Sequence, residues 1–473
     1  MPSFIDRPIL HLTEQDSFTP RHAFEGVAIF GSIGSGKTSG SGKNLALNYL
    51  RSGFGGVVMC AKEEEYAQWQ EYCEKTGRAK DLYRIGAGSN ETFNFLDYES
   101  KRKDSGAGIT HNIASTLMTV MKAGEPEGDE KDKSFWDGTM RSLLIHAIDL
   151  CNLNKKELLF KDISAVIKSA PTSLDEVKDI QWRSQSLCFK MMKKASDIIN
   201  SLIVSNVSDQ MYLKLRKVED FFLTTWVNLS PKTRSIVEQI FLNFSHRFLS
   251  EPLNRIFCSG TTIRPEDTQQ GKVIVLDLPY LIYEQAGRDG QILFKYIWQR
   301  AMQRRKIDET SRPVFLWADE AHLFLHEHDV DHQSTARSFR ASTIYISQNL
   351  PNYYIHAGAG QQGRNRIEAL LGNMGTKIFH ANSCIQTNQY AADTVGKIRT
   401  WQANQGSSYG EQVSHNQGIS ETVEYVIQPS EFATLKTGGE MNNFITEAII
   451  HRQGAPFKFS KTNYVRKYFS QNI

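Results

Sequence analysis

A glycine-rich segment near the start of the chain has the residue types and spacing that bind nucleotide phosphates. Gly31, Gly36, Lys37 and Thr38 match the pattern G-x-x-x-x-G-K-T. In this pattern the glycines let backbone N–H groups turn toward phosphates, the lysine reaches the β- and γ-phosphates, and the hydroxyl binds Mg²⁺. The pattern predicts a site for ATP and Mg²⁺, whose nucleotide-binding residues are Gly31, Ser32, Gly34, Ser35, Gly36, Lys37, Thr38 and Ser39.

Two carboxylates follow an apolar run in the C-terminal half of the chain. Residues 314–317 are apolar, and Asp319 and Glu320 come directly after Ala318. Phosphoryl-transfer sites pair a phosphate-binding loop with such a strand, so Asp319 is predicted to bind Mg²⁺ together with Thr38. Glu320 is predicted to act as the general base for the attacking water. The alternative is a helix N-terminus at which the macrodipole favours acidic residues.

Two further polar residues are candidates for catalysis beside Lys37 and Glu320. Gln348 follows the apolar run 343–346, and a polar side chain at that end of a strand can orient water or sense the γ-phosphate. Arg337 lies between these motifs and could reach the γ-phosphate of a neighbouring subunit. From the residues alone, a satisfied turn amide and a solvated arginine are the alternatives.

Histidines cluster directly after the two carboxylates. His322 and His326 have the i, i+4 spacing of a zinc-ligand pair. No catalytic zinc motif is matched, so a solvated polar loop is the favoured interpretation. The cluster consists of His322, His326, His328 and His332 with Asp329 and Asp331.

The order of apolar runs predicts an α/β fold with a largely parallel sheet. Residues 27–30 and 56–60 have the composition of buried strands, and they flank the glycine loop and an apolar-periodic helix at 44–50. The later strand runs are continuous rather than alternating, which is typical of strands covered on both faces. Helical periodicity replaces strand runs after the first hundred residues. The predicted domains are 1–106 and 261–473, which together form the nucleotide-binding domain, and 107–260, an inserted all-α domain.

Composition restricts the class of protein only weakly. The chain has 473 residues with a net charge of +3, which argues neither for nor against nucleic acid as a partner. No signal peptide or stretch of 18 apolar residues occurs, and six scattered cysteines indicate a reduced compartment, so a cytoplasmic location is expected. Residues 406–418 are rich in Ser, Gly and Gln and are expected to form a mobile loop.

In combination these motifs resemble the FtsK–HerA superfamily of ring ATPases, and within it the type IV coupling proteins of bacterial conjugation and secretion. The likeness to the superfamily rests on three features: the glycine loop, the strand followed by Asp-Glu-Ala, and the later strand ending in Ser-Gln-Asn. The narrower likeness rests on the order of four further segments along residues 20–465. They are Ala61-Lys62-Glu63-Glu64-Glu65, Asn94-Phe95-Leu96-Asp97, Leu371-Gly372-Asn373 with Gly396, and Pro429-Ser430-Glu431 with Leu435, Pro456 and Tyr464.

The resemblance implies a RecA-like P-loop NTPase domain with a helical insertion, a hexameric ring, and DNA in a central channel. It also implies that an arginine finger comes from a neighbouring subunit, and Arg337 matches that position. Two departures stand out: residues 1–20 hold no membrane anchor, and Cys60 or Ala61 replaces the family's aspartate after the second strand. Partners implied are a relaxase, a secretion channel or a separate anchor protein, with attachment at the inner face of the membrane through such a partner.

The leading functional hypothesis is therefore an ATP-driven DNA-translocating motor that grips phosphates without reading sequence. Two alternatives remain open: an ATP-dependent recruitment adaptor, and a protein-export motor of a secretion or phage-defence system. A helicase is disfavoured although Asp319-Glu320-Ala321-His322 spells DEAH, because too little chain follows it for a second motor core.

Overall fold

The structure is a computed structural model. It describes residues 4–102, 106, 108–123, 130–154, 157–202, 206–358, 360–409, 413–454 and 456–473. The predicted domain boundary at residue 107 lies outside this set.

Nine strands of the described residues form one twisted sheet in the order β13-β12-β9-β3-β8-β7-β4-β6-β5. The seven strands from β9 to β5 pair in parallel, whereas β12 pairs antiparallel with both β9 and β13. The strands are β1 Leu10–His11, β2 Ser17–Phe18, β3 Val27–Phe30, β4 Gly55–Met59, β5 Leu82–Gly86, β6 Val273–Asp277, β7 Val314–Ala318, β8 Ala341–Ser347, β9 Thr376–Phe379, β10 Lys397–Tyr409, β11 Val413–Tyr425, β12 Ile445–Arg452 and β13 Tyr464–Ser470.

Helices cover both faces of the sheet and form all the regular structure described between β5 and β6 apart from short 3₁₀ and π segments. The helices are α1 Pro20–Ala23, α2 Lys43–Arg51, α3 Glu64–Lys75, α4 Phe95–Lys101, α5 Thr110–Ala123, α6 Glu130–Asn154, α7 Phe160–Lys168, α8 Leu174–Lys178, α9 Ile180–Gln185, α10 Leu187–Ser201, α11 Asn206–Asp220, α12 Pro231–Leu249, α13 Leu253–Phe257, α14 Tyr280–Arg304, α15 Asp329–Thr335, α16 Leu350–Ala357, α17 Gly360–Gly372 and α18 Ile385–Val395. Helix α14 is kinked at Glu284, whose φ of 47° is not helical.

Burial on both faces explains why the strand runs are continuously apolar. In β3, Ala28 and Phe30 pack with the core beneath the many helices that precede β6. Val27 and Ile29 point to the other face, where they pack with residues of α2 and α3. Neither side of the strand meets solvent, so alternation with polar residues is not required. The predicted α/β class with a largely parallel sheet is confirmed.

The prediction of a mobile loop at 406–418 is wrong for the residues in this range that the structure describes. They belong to a two-stranded antiparallel ribbon in which β10 pairs with β11, from Lys397 opposite Tyr425 to Tyr409 opposite Val413. Residues 410–412 of the predicted loop lie outside the described residues. The polar composition was misleading because a ribbon can satisfy its backbone by cross-strand hydrogen bonds without burying a face.

None of the described helices has the length and hydropathy needed to cross a membrane.

Candidate functional site

Three polar segments meet at one edge of the sheet. Strand β8 lies between β3 and β7, and all three run parallel, so their carboxyl ends lie side by side. Gly31 follows β3, Asp319 follows β7 by one position, and Gln348 follows β8. Ligands of open α/β sheets bind at this edge, between the strand ends and the loops that leave them.

The glycine loop adopts a conformation that requires its glycines. Gly34 and Gly36 have φ angles of 75° and 82°, in the left-handed region. A Cβ on Gly36 would lie 2.1 Å from Cγ2 of Thr446, which belongs to β12. The hydroxyl of Ser35 is buried and has no hydrogen-bond partner among the described residues. The loop is thus a preformed concavity with an unused donor, which fits a phosphate group.

The chain continues from the loop into helical residues that carry Lys37 and Thr38. Lys37–Gly42 form a π-helical turn that runs directly into α2. The Thr38 hydroxyl donates a hydrogen bond of 2.7 Å to Oδ2 of Asp319. Oδ1 of Asp319 accepts from the backbone N–H of Glu320 at 2.9 Å. The two predicted Mg²⁺ ligands therefore lie within hydrogen-bond distance of each other, close enough for both to bind one cation.

Glu320 and Gln348 also meet at this edge. Nε2 of Gln348 donates to Oε1 of Glu320 at 3.0 Å, and Nζ of Lys37 lies 3.9 Å from the same oxygen. Glu320 adopts a left-handed backbone, with φ of 50°. Burial raises the pKa of Glu320 above its usual value, and the hydrogen bond from Gln348 opposes that rise. A raised carboxylate pKa makes the side chain a better proton acceptor, which suits a general base.

Asn382 is a site residue that the sequence did not reveal. Its Nδ2 donates to the backbone oxygen of Gln348 at 2.7 Å, and its Oδ1 accepts from Ser32 Oγ at 3.3 Å. Asn382 therefore ties the glycine loop to the end of β8. It lies three residues after β9, the other neighbour of β3. The sequence signal for Asn382 was a polar residue shortly after an apolar strand. That signal could not be used, because the sequence does not show that β9 lies next to β3 in the sheet.

Glu65 is the second unpredicted residue. Its side chain is buried, its Oε2 accepts from the Ala61 N–H at 2.8 Å, and it lines a small cavity with Thr38 and Asp319. Burial, with the negative charge of Asp319, raises the pKa of Glu65 well above its usual value. The acidic run at 63–65 was visible in the sequence, but the sequence did not show which carboxylate turns inward.

The C-terminal strands support the glycine loop and the helix after it. Nε2 of Gln471 donates to Ser39 Oγ at 2.6 Å, and the backbone oxygen of Gln471 accepts from Nζ of Lys43 at 3.0 Å. Thr446 in β12 fills the space beside Gly36 and Gly40. Residues more than 400 positions away thus fix the geometry of the loop, which the local motif alone could not show.

Arg337 is not part of this cluster. It lies in the 3₁₀ segment Ala336–Phe339, which precedes β8, whereas Gln348 follows that strand. The two residues are therefore at opposite edges of the sheet, separated by roughly 20 Å at about 3.3 Å per strand residue. The Arg337 side chain is 62% exposed and pairs with Glu25 at 3.5 Å. Within one chain it contacts none of the other predicted site residues.

The histidine cluster is not the solvated loop that the sequence favoured. His322, His326 and His332 are buried, and His326 and His332 lie near the buried pair of Lys295 and Asp329. Asp329 accepts hydrogen bonds from Lys295, Gln299 and Tyr345 inside the protein. These buried hydrogen bonds explain how a run that is polar in sequence can lie in the interior. Among the described residues, no group of three or more His, Cys, Asp or Glu side chains is placed to hold a metal ion.

Buried histidines make stability depend on pH. Burial lowers the pKa of His326, His332 and His380 to about 3. At His332, the nearby Asp329 opposes this lowering and Lys295 adds to it. The unfolded chain binds these protons below about pH 6.5 and the folded chain does not. The stabilising effect is therefore complete above pH 6.5 and decreases as the pH falls toward 3, by roughly 1.4 kcal/mol per pH unit for each histidine.

We expect the free energy of unfolding, measured in urea between pH 7 and pH 5, to fall less steeply in His332→Leu than in the wild type. The difference should approach about 1.4 kcal/mol per pH unit, because one proton-binding group is removed. His328→Gln is the control, since the His328 side chain is 39% exposed, whereas His332 is buried. Equal slopes for wild type and His332→Leu contradict the expectation.

One segment of the chain matches a known family model, and this segment contains Asp319, Glu320, Arg337 and Gln348. Residues 313–437 match the family model described as the TraM recognition site of TraD and TraG. A comparison with curated protein sequences finds no significant match.

Solved structures of the plasmid coupling protein TrwB have the same fold over almost the whole chain. The unbound bacterial conjugative coupling protein TrwBdeltaN70 superposes with a TM-score of 0.57 at 12% identity, covering 97% of this chain and 88% of that chain. TrwB with the ATP analogue ADPNP gives 0.56 at 14% identity, covering 99% and 92%. TrwB with ADP and Mg²⁺ gives 0.54 at 13% identity, covering 97% and 88%.

Proposed function

The chain has the fold of the type IV coupling proteins and carries the TraD/TraG family segment, and from this premise we propose that it is an ATP-driven motor that moves DNA or nucleoprotein. The observation that carries the proposal is the convergence of two pairs at one sheet edge. Thr38 contacts Asp319, and Gln348 contacts Glu320, beside the glycine loop. This arrangement supplies the parts that phosphoryl transfer needs: a phosphate cradle, cation ligands and a positioned base.

The residues at the site divide the work of hydrolysis. Backbone N–H groups of residues 31–36 and the ammonium of Lys37 would hold the phosphates, while Thr38 and Asp319 would hold Mg²⁺. Bound Mg²⁺ supplies positive charge that offsets the charge developing on the transferred phosphoryl group. Glu320 accepts a proton from the attacking water at its carboxylate, and Gln348 fixes the orientation of that carboxylate.

A ring assembly accounts for the position of Arg337. An exposed guanidinium at the opposite edge of the sheet cannot serve its own site, but its exposure leaves it accessible to the site of a neighbouring subunit. We infer a homo-oligomer, a hexamer on DNA, in which Arg337 acts in trans. The description of the matched family names TraM recognition in TraD and TraG. By analogy, the proposed partners here are a relaxase, a secretion channel, or a separate membrane-anchor protein at the inner face of the cell membrane.

Translocation can be tested by displacement of streptavidin from the end of a biotinylated oligonucleotide. The wild type is expected to displace streptavidin only when ATP and Mg²⁺ are present, on single-stranded or duplex DNA, because hydrolysis must drive movement along the strand. Lys37→Ala is expected to remove displacement. ATP hydrolysis without displacement on either substrate would contradict a DNA motor and favour a recruitment adaptor or a protein-export motor.

A further inference from the structure

A second concave region lies away from the nucleotide site, where α4, the segment 261–269 and the C-terminal end of α14 meet. Its cavity volume is about 720 Å³, within the range of ligand sites. We call this region and its extension along α14 the basic groove. The basic residues that line the first cavity are Lys101, Arg102, Arg264, Arg304, Arg305 and Lys306.

The acidic residues of this cavity are already engaged. Asp97 forms an ion pair with Lys101, one turn away on α4. Oε1 of Glu266 accepts a hydrogen bond of 2.5 Å from the Tyr98 hydroxyl. Six basic and two acidic side chains therefore leave a clear positive excess in a concave surface. Concave surfaces lined by one sign of charge concentrate the electrostatic field and attract oppositely charged ligands.

The positive surface continues along α14. A second cavity of about 200 Å³ shares Arg102 and Arg304 with the first and adds Arg141 and Arg300. Its acidic residues are Glu99, which pairs with Arg102 at 2.8 Å, and Glu327, so basic residues still outnumber acidic ones. Arg300 and Arg304 are four residues apart on one helix and so lie on the same face. The two cavities are therefore adjacent parts of one groove, and it is elongated rather than round.

Helix ends explain only some of these cations. Cations are favoured at helix C-termini, and both α4 and α14 end here. Arg305 is structural, since its guanidinium donates to the backbone oxygens of Phe339 and Arg340. Arg264, however, precedes the 3₁₀ segment Pro265–Gln270, at the end where the dipole disfavours a cation.

Three exposed cations of the basic groove have no ion-pair partner among the described residues. Arg264, Arg300 and Lys306 are exposed and form no ion pair with any carboxylate in the part of the chain that the structure describes. They are available to a ligand in a way that Arg305 is not. By contrast, the aromatic side chains that line the groove, Tyr98 and Tyr296, are only 7% and 5% exposed. The groove offers charge to phosphates but little aromatic surface to bases.

We propose that the basic groove binds the sugar-phosphate backbone of nucleic acid. An elongated run of adjacent positive cavities matches a chain of phosphates. The lack of an exposed stacking surface makes binding independent of sequence and strongly dependent on salt. The proposal rests on the proposed motor function and names the surface that holds the strand in each subunit.

Fluorescence anisotropy with a labelled oligothymidylate tests the groove, using the full chain and the triple variant Arg264→Gln, Arg300→Gln and Lys306→Gln. The variant is expected to bind at least about 10-fold more weakly, and the slope of log affinity against log salt should fall by about 2, since each lost phosphate contact contributes about 0.7. ATP binding and thermal unfolding should be unchanged, because the three side chains are exposed.

The matched control removes three exposed lysines from α10, as Lys190→Gln, Lys193→Gln and Lys194→Gln. It has the same change in net charge and should keep wild-type affinity. If the groove variant binds as tightly as the wild type, or the control weakens binding equally, the groove is not the site, although the motor function stands. If the wild type binds no oligonucleotide, both the groove and the DNA motor are contradicted.

Discussion

Replacing Glu320 with glutamine is expected to lower kcat for ATP hydrolysis by about 10²- to 10⁴-fold while ATP still binds. Glutamine keeps the size and hydrogen-bonding reach of the side chain but cannot accept the proton of the attacking water. The hydrogen bond that Gln348 donates to Glu320, at 3.0 Å, holds the carboxylate in place. Phosphate release and equilibrium binding of a fluorescent ATP analogue measure the two effects separately.

Glu64→Gln provides the control for Glu320→Gln. Glu64 is an exposed carboxylate at the start of α3, and its loss should leave kcat unchanged. Hydrolysis by Glu320→Gln within about 3-fold of the wild type would contradict the role of Glu320 as general base, since that role is worth at least about 10²-fold. Loss of ATP binding in the same variant would instead assign Glu320 to holding the nucleotide.

Replacing Arg337 with alanine is expected to lower kcat by about 10³-fold or more, the usual contribution of an arginine finger. Stability should change little, because an exposed ion pair such as Arg337 with Glu25 contributes about 0–1 kcal/mol. Glu25→Gln is the matched control: it breaks the same ion pair but keeps the guanidinium, so its activity should stay near that of the wild type. Equal losses in the two variants would mean that Arg337 acts through Glu25 and not through a neighbouring site.

Mixing the inactive variants Arg337→Ala and Lys37→Ala distinguishes action in trans from action in cis. In a mixed ring, a Lys37→Ala subunit still offers Arg337 to an Arg337→Ala neighbour whose own glycine loop is intact. We therefore expect ATPase activity in the mixture to exceed the sum of the separate variants. A mixture no more active than its components would contradict the trans finger.

The local motifs predicted the centre of the site because each motif combines residue type with strand position. Thr38, Asp319, Glu320 and Gln348 follow or lie near strand ends that the apolar runs predicted, and parallel pairing brings them together. The resemblance to the type IV coupling proteins is confirmed by the match at residues 313–437 and by the fold. The catalytic roles of Thr38, Asp319, Glu320 and Gln348 remain predictions.

Features that depend on distant contacts could not be predicted from the sequence. Asn382 and Gln471 reach the site because β9, β12 and β13 join the sheet on the side of β3. The histidine run is buried because Lys295, more than 30 positions earlier, pairs with Asp329. The basic groove combines residues from four separate segments, and the sequence does not show that the fold brings them together.

Steady-state ATP hydrolysis by the wild type, measured with and without DNA across a range of protein concentrations, tests the central claim most directly. The motor account predicts that DNA stimulates hydrolysis and that specific activity rises with concentration, because each site is completed by Arg337 of a neighbour. Hydrolysis that is indifferent to both DNA and protein concentration would contradict a DNA-driven ring.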